Sequence, residues 1–251
     1  MDFVHVAKTG RLATVTLARG KVNALNESMI EEIRKSFEDL ENDQEIKAVI
    51  LTGRGRFFSF GFDIPEFLTY SKDQFVRFLI KFADLYKYLF LFPKPVVGAL
   101  NGHTIAGGCM LATACDHRIM VTENAKISLN EITFGASVFA GSVEMLKFCV
   151  GQRNAETILF SGAMYSAQEA KQLGLIDRVS AAENLNQDVM TVAEEYARKD
   201  GTAYQSIKRL LKKPIATEFI KRERDSIHEF VDIWYTEGTW ANLQNIKIHS
   251  G

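Results

Sequence analysis

Two features of the sequence could do chemistry together: the glycine pair Gly107-Gly108 and the carboxylate of Glu131. Within residues 96–135 an apolar run ending at Ala99 passes through Asn101-Gly102 into Ala106-Gly107-Gly108, ahead of a short helix expected over Cys109–Cys115. Small residues before a helix leave backbone N–H groups uncovered, and the free N–H groups of a first helical turn favour negative charge. The loop can therefore act as an oxyanion site made of backbone, although its spacing alone fits close strand-to-helix packing equally well. Over residues 125–143 the only charge besides Glu131 is Lys126. A carboxyl group among apolar residues has a raised pKa, which suits a base that must also return its proton.

The elements that must position these groups can be read in chain order. Phe3 to Ala7 and Leu12 to Ala18 alternate around Lys8-Thr9-Gly10, which predicts a hairpin. Asn26 can cap a helix from Glu27 to about Glu41, with Ile30, Ile33, Phe37 and Leu40 on one face. Ala48 to Thr52 reads as a strand, and residues 53–64 as a loop rich in Gly and Phe. The stretch Asp73 to Phe92 predicts a very apolar helix stopped by Pro93, its stripe read as core. Further strands are expected at 95–99, 116–121 and 125–129, helices near 141–149 and 153–161, and a helix opened by the capping box Ser166-x-x-Glu169 and ended at Gly174. Residues 183–251 read as helical and more polar. Their basic run, Lys208-Arg209, Lys212-Lys213 and Lys221-Arg222, reads as a solvated face.

Composition sets limits on this reading. At 251 residues the chain can bury roughly 70–75% of its unfolded surface, enough for one main core and a terminal appendage. A net charge of −1 gives no bulk electrostatic case for nucleic acid or an anionic membrane. Cys109, Cys115 and Cys149 are odd in number and lack metal-ligand spacing, so small core residues in a reducing compartment are expected, with no metal. MDFVHVAKTG at the N-terminus has no basic region followed by an apolar run, and no apolar run is long enough to span a bilayer, so the expected location is cytoplasmic.

The 96–135 stretch, taken with FFSFGFDIPEF at 57–67 and SAQEAKQLGLIDRV at 166–179, resembles the crotonase (enoyl-CoA hydratase/isomerase) superfamily, most closely its 3,2-trans-enoyl-CoA isomerases. The resemblance runs from GRLATVTLARGKVNALN over nearly the whole chain. It implies an α/β fold, a crotonase-type superhelix of repeated strand-strand-helix units over residues 1–182, followed by a C-terminal helical oligomerisation region over 183–251. It further implies a trimer or dimer of trimers, basic side chains of the terminal region reaching a CoA phosphate, and a helix at 73–92 that also lines the acyl end of the pocket. No cofactor is expected, coenzyme A being part of the substrate.

By the same resemblance the oxyanion donors are the backbone N–H groups of Phe62 and Gly107, and Glu131 is the catalytic acid-base. One such donor is typically worth ~2.7–4 kcal/mol of transition-state stabilisation. Hydratases of the superfamily carry a second glutamate directly after the Gly-Gly-Cys start of the helix; here that position is Met110. The aspartate that dienoyl-CoA isomerases and some dehalogenases place four residues after the Gly135 position is here Phe139. What the resemblance implies is a one-base isomerase that converts 3-enoyl-CoA to trans-2-enoyl-CoA, as in fatty acid β-oxidation. Contacts to CoA or the acyl chain are implied for Lys21, Ala24, Leu25, Phe60, Gly61, Asp63, Ile64, Gly108, Met110, Phe134, Val138 and Phe139. A surface lysine at a turn is the plainer reading of Lys21. Two other readings stay open at this point: another crotonase reaction on an acyl-CoA, such as weak hydration, thioester hydrolysis or decarboxylation, and a non-catalytic crotonase-like binding subunit.

Overall fold

The computed structural model describes residues 3–246. Met1 and Asp2 of the first expected segment and residues 247–251 of the expected C-terminal region lie outside them. Strands β1 (Val4–Thr9) and β2 (Leu12–Leu17) form the expected antiparallel hairpin. Helix α1 (Glu27–Asn42) is capped as its sequence requires, the Asn26 side chain accepting from Met29 N at 3.1 Å, and it buries Ile30, Ile33, Phe37 and Leu40.

From there the chain repeats one pattern three times: a strand in a large sheet, a strand in a small sheet, then helix. β3 (Ala48–Gly53) is followed by β4 (Phe57–Ser59), α2 (Ile64–Phe67) and α3 (Lys72–Leu91). β5 (Val96–Leu100) is followed by β6 (His103–Ile105) and α4 (Gly107–Ala114). β7 (His117–Val121) is followed by β8 (Ile127–Ser128), the 3-10 turn Glu131–Phe134 and α5 (Ala140–Ser161). After α6 (Ala167–Gln172) comes β9 (Arg178–Ser180). The large sheet runs β1-β2-β3-β5-β7-β9, parallel from β2 onward, and the small one β4-β6-β8, also parallel. This alternation is the strand-strand-helix superhelix expected from the resemblance. Each repeat starts one strand further along both sheets, so the three β-to-helix turns stack beside one another.

The structure departs from the sequence reading in two places here. β4 and β6 were not expected; three residues are too few to show a two-residue period, and both lie in stretches whose glycines read as loop. The two helices expected near 141–149 and 153–161 form one run, α5, broken at Gly151, whose φ of 76° and ψ of 164° are not helical.

The C-terminal part consists of α7 (Leu185–Ala197), α8 (Gly201–Trp234) and α9 (Glu237–Gln244). Its basic run is not the uniformly solvated face expected. Lys208 and Lys212 are each 5% exposed, and their ammonium groups bracket Asp116 at 2.6 and 2.7 Å. Asp116 also accepts from Val96 N at 2.8 Å, and the ammonium of Lys212 lies 4.4 Å from the centre of the Phe90 ring. Burial pushes the Asp116 carboxyl up, but the two lysines outweigh it and hold its pKa below the ordinary carboxylate value. Charge periodicity could not reveal this, because the partner stands far away in sequence, at the start of β7. The two lysines are therefore occupied within the chain, which removes them as phosphate ligands. Arg209 and Lys213 remain on the exposed face. Among the described residues no helix is long and apolar enough to cross a membrane. Cys109 and Cys115 are buried and Cys149 half-buried, all three as free thiols.

Asp116→Asn leaves two buried ammonium groups without a counter-charge and is expected to cost about 3–5 kcal/mol in urea unfolding, whereas the apolar triple substitution Asp116→Leu, Lys208→Met, Lys212→Met restores most of that stability. A single substitution that unfolds at wild-type urea would contradict the buried triad.

Candidate active site

The site begins with two backbone turns forced together by glycine. β4 leaves the small sheet into Gly61-Phe62, and β6 leaves it into Ala106-Gly107. Gly61 has a φ of +95°, and a Cβ there would stand 2.9 Å from Ile105 O and 3.1 Å from Gly107 N. A Cβ on Gly108 would stand 2.5 Å from Ser59 O. No side chain fits either gap, so the glycines of both motifs are explained by one close approach of backbone to backbone.

This approach frees two N–H groups. Leu25 forms a lone parallel bridge to Phe62, its N–H donating to Gly61 O at 2.7 Å and its carbonyl accepting from Asp63 N at 3.0 Å, so the N–H of Phe62 is passed over. Gly107 is the first residue of α4, where an N–H has no partner inside the helix. Neither group donates to another described residue. Ala106 between them takes φ 49° and ψ −119°, a strained conformation for a residue with a Cβ. It is held there by its N–H donating to Ser128 O at 2.8 Å and its carbonyl accepting from Met110 N at 3.0 Å.

Two supports fix the Phe62 turn. Asn23, fully buried at φ 51°, donates through Nδ2 to Phe57 O at 2.9 Å and Arg54 O at 3.1 Å, while its carbonyl accepts from Ser59 Oγ at 2.8 Å. The Phe62 ring meets Phe67, Phe78 and Phe82 edge-on, with centroids 5.8, 5.3 and 4.9 Å away. The bulk of Phe62 therefore anchors its own backbone. α3 supplies that anchor from behind: Phe75, Phe78 and Phe82 are fully buried, and no α3 residue among those described lines the cavity in front. The stripe is core, as its sequence reads, and none of its residues among those described lines this cavity.

Glu131 opens the 3-10 turn after β8, is 5% exposed, and its Oε2 has no hydrogen-bond partner among the described residues. Burial raises its pKa to about 8, with a hydrogen bond from its own backbone pulling slightly the other way. It faces a cavity of about 280 Å³. Of the residues named from the sequence, Phe60, Phe62, Ile64, Met110, Phe134 and Phe139 line that cavity with it. Gly107 is not among the lining residues; it follows the lining residue Ala106 in the chain. Among the described residues Glu131 is the only titratable side chain in the lining.

The remaining candidates fall elsewhere. Val138 lines a second cavity of about 460 Å³ that Glu131 also borders. Ala24 and Leu25 are 2% and 0% exposed and pack beneath the Phe62 turn, while Gly61 and Gly108 shape the backbone without lining the cavity. Asp63 caps α2 by accepting from Glu66 N at 3.2 Å and pairs with Arg19 at 2.6 Å. Lys21 is exposed at a turn. Sequence reasoning missed Phe230 and Trp234, which reach the cavity from α8, and Ile105, Ala106, Asn130, Thr133 and Ile246. The flanks of the motifs signalled Ala106 and Asn130. Nothing in the terminal helices marked Phe230 or Trp234 as more than core aromatics. The C-terminal part thus supplies part of the cavity wall through Phe230, Trp234 and Ile246.

The paired sheets, the two unpartnered N–H groups at the turns of the small sheet and the buried acid beside a cavity together set the class of fold with which known proteins can be compared. The family model described as "Enoyl-CoA hydratase/isomerase" matches residues 7–234. A short-chain-enoyl-CoA hydratase of Clostridium acetobutylicum is 35% identical over 201 residues, 79% of this chain and 75% of the relative. The mitochondrial enoyl-CoA delta isomerase 1 of Mus musculus is 30% identical over 222 residues, 87% and 76% of the two chains. The crystal structure of human mitochondrial delta3-delta2-enoyl-CoA isomerase superposes with a TM-score of 0.92 at 27% identity, covering 96% of this chain and 95% of that one. The chain belongs to the enoyl-CoA hydratase/isomerase family, the crotonase family of acyl-CoA enzymes.

Because Glu131 is raised above its unfolded value, the folded state favours its protonated form. That contribution to stability is complete below the unfolded pKa of about 4.5 and is lost as pH rises toward about 8. Glu131→Gln removes the loss, so the variant is expected to melt higher than wild type at roughly pH 9, with the gap closing toward pH 4.5. A constant gap across this range would mean that the carboxylate is not desolvated in solution.

Proposed function

We propose that this chain shifts the double bond of a 3-enoyl-CoA thioester to give trans-2-enoyl-CoA, using Glu131 as a single base. In the proposed reaction the carboxylate takes a proton from C2, breaking the C–H bond as charge moves to the thioester oxygen. The N–H groups of Phe62 and Gly107 receive that charge, and the dipole of α4 acts in the same direction. The protonated acid then delivers the same proton to C4, so that C2=C3 replaces C3=C4 and the carboxylate is regenerated. A pKa near 8 suits both halves of this cycle, since the group must accept and release a proton at similar cost.

The observation that carries the reading is that Glu131 has no second titratable partner in the cavity lining among the described residues, with Met110 and Phe139 standing where relatives of other activities carry carboxylates. Adding water across a double bond calls for a second group to hold and activate the water, and this cavity offers an aromatic and aliphatic wall in its place. We also read Lys21, Ala24, Leu25, Phe60, Gly61, Asp63 and Ile64 as the side of the site that meets coenzyme A, largely through backbone. Assembly as a trimer or dimer of trimers is part of the same proposal, supported by the exposed apolar side chains of Ile207, Leu210 and Leu211 on α8, at 59%, 71% and 57% exposure.

The test is a coupled assay of trans-3-hexenoyl-CoA beside crotonyl-CoA. Wild type is expected to convert the 3-enoyl ester with little hydration of crotonyl-CoA, and Glu131→Gln to lose roughly 10²–10⁴-fold in turnover. Wild-type kcat/KM should rise with pH through an apparent pKa near 8, because the base works ionised. Gly107→Pro, which deletes one oxyanion N–H, should lower kcat by about 10²–10³-fold. Dominant hydration of crotonyl-CoA would overturn the one-base reading. Binding of CoA esters without either reaction would point to the enolate serving different chemistry, or to a binding subunit.

A further inference from the structure

The cavity holds more polar equipment than the isomerisation uses. Three buried side-chain atoms without a hydrogen-bond partner among the described residues belong to residues that line it: Glu131 Oε2, Asn130 Oδ1 and Trp234 Nε1. Glu131 is accounted for by the proton transfer. Thr133, the other polar lining residue, already spends its hydroxyl on Asn130 O at 2.7 Å. Two groups are left over, an indole N–H and a side-chain amide.

Neither is needed to make an apolar wall. Phe230 and Trp234 stand one turn apart on α8, line the same cavity and touch each other at 5.6 Å between ring centres, so phenylalanine already supplies the apolar surface that this helix face requires. Trp234 is 1% exposed, and its Nε1–H can only donate. A buried donor facing a plain hydrocarbon chain stays unpaired, which is costly, whereas a ligand oxygen in reach removes the cost. Asn130 is held beside Glu131 at the start of the 3-10 turn, its carbonyl accepting from Thr133 N at 3.0 Å, and its side-chain amide offers both an acceptor and a donor. Small apolar-lined sites with a few convergent polar groups take their specificity from those groups.

We propose that the cavity selects acyl-CoA esters whose acyl chain carries an oxygen, which accepts a hydrogen bond from the indole N–H of Trp234. Where that oxygen is a hydroxyl, Asn130 takes its hydrogen. Trp234 and Asn130 are on this view specificity-determining residues, which neither the proton transfer nor the oxyanion pocket employs. The inference rests on reading the cavity as an acyl-CoA site, and it adds the chemical class of the acyl group. A site built to pair with a ligand oxygen discriminates strongly against the analogue that lacks it.

The test measures binding, so it does not depend on turnover. Dissociation constants for hexanoyl-CoA, 5-oxohexanoyl-CoA and 6-hydroxyhexanoyl-CoA are determined by calorimetry with wild type, Trp234→Phe and Asn130→Leu. Wild type is expected to bind at least one oxygenated ester about tenfold or more tighter than hexanoyl-CoA. Trp234→Phe should abolish that preference while holding hexanoyl-CoA within about twofold, and Asn130→Leu should weaken the hydroxy ester alone. Equal affinity of wild type for all three esters, or a preference that survives Trp234→Phe, overturns the proposal and leaves the isomerase reading intact. If Trp234→Phe fails to fold, the wild-type comparison still decides against the proposal when it shows no preference, and the Asn130→Leu arm supports it when the hydroxy ester alone weakens. Failure of every ester to bind would instead overturn the acyl-CoA reading itself.

Discussion

The constraint on which the rest of the molecule depends is a carboxylate buried with nothing to neutralise it. Two other buried charges among the described residues are matched: Asp116 by two lysines, and Arg118, 5% exposed, by Asp177 at 2.8 Å. Burial raises the pKa of Glu131 to about 8 with no cation to offset it. Glu223 is also raised by burial, to about 7, but it accepts hydrogen bonds from Gly141 N and the Tyr86 hydroxyl, whereas Glu131 Oε2 has no partner among the described residues. Such a group costs stability whenever it is ionised, so the surrounding structure must be rigid enough to keep it from turning out to water. The tight 3-10 turn meets that need. Its end at Gly135 is bound by Thr239 Oγ1, which donates to the Gly135 carbonyl at 2.8 Å from α9.

The Phe62 and Gly107 turns pose the complementary problem, since their two N–H groups stay unpaired without the backbone collapsing onto them. Here the answer is steric. The Gly61 and Gly108 contacts bring the turns as close as backbone permits, and Asn23, Ser59 and the aromatic ring cluster around Phe62 prevent them from sliding. α8 braces the far wall. Glu223 on that helix accepts from Gly141 N at 2.5 Å and from the Tyr86 hydroxyl, while Ser226 Oγ accepts from Ala140 N at 2.9 Å. Together they cap the start of α5, whose own N-cap residue, Phe139, has no side chain able to do so. The helix that contributes Phe230 and Trp234 to the cavity therefore also sets the position of Phe139.

How much of this could be read from the sequence follows from where each constraint is encoded. The hairpin, α1 with its Asn26 cap, α3 and the capping box at Ser166 are local, and their residues carry the pattern within one or two turns. The burial of Glu131 in apolar surroundings and the uncovered N–H of Gly107 were legible because a motif binds residue type to spacing. β4, β6 and the strained Ala106 were not, because they exist through pairing with strands far along the chain. The error over Lys208 and Lys212 has the same origin: charge periodicity describes a helix surface but does not say which surface another element covers. Val138 lies beyond the 3-10 turn and lines the second cavity, which Glu131 also borders.

Relatives named as hydratases and as isomerases both share this backbone at 30–35% identity, so the backbone cannot be what separates the two reactions. On the proposed reading, negative charge on a thioester oxygen must be stabilised in either reaction, and the Phe62 and Gly107 N–H groups would serve both. The division lies in the next step, where the enolate system meets a proton at carbon or exchanges with water. A second carboxylate beside the first would order a water and, through like-charge repulsion, drive the two pKa values apart, giving one acid and one base. With Met110 in that position Glu131 is left with one intermediate pKa, and a group that is neither a committed acid nor a committed base is suited to carrying one proton between two carbons of the same substrate. On the proposed reading, the polar groups that remain, on Asn130 and Trp234, bear on which acyl chain is held and not on how the proton moves.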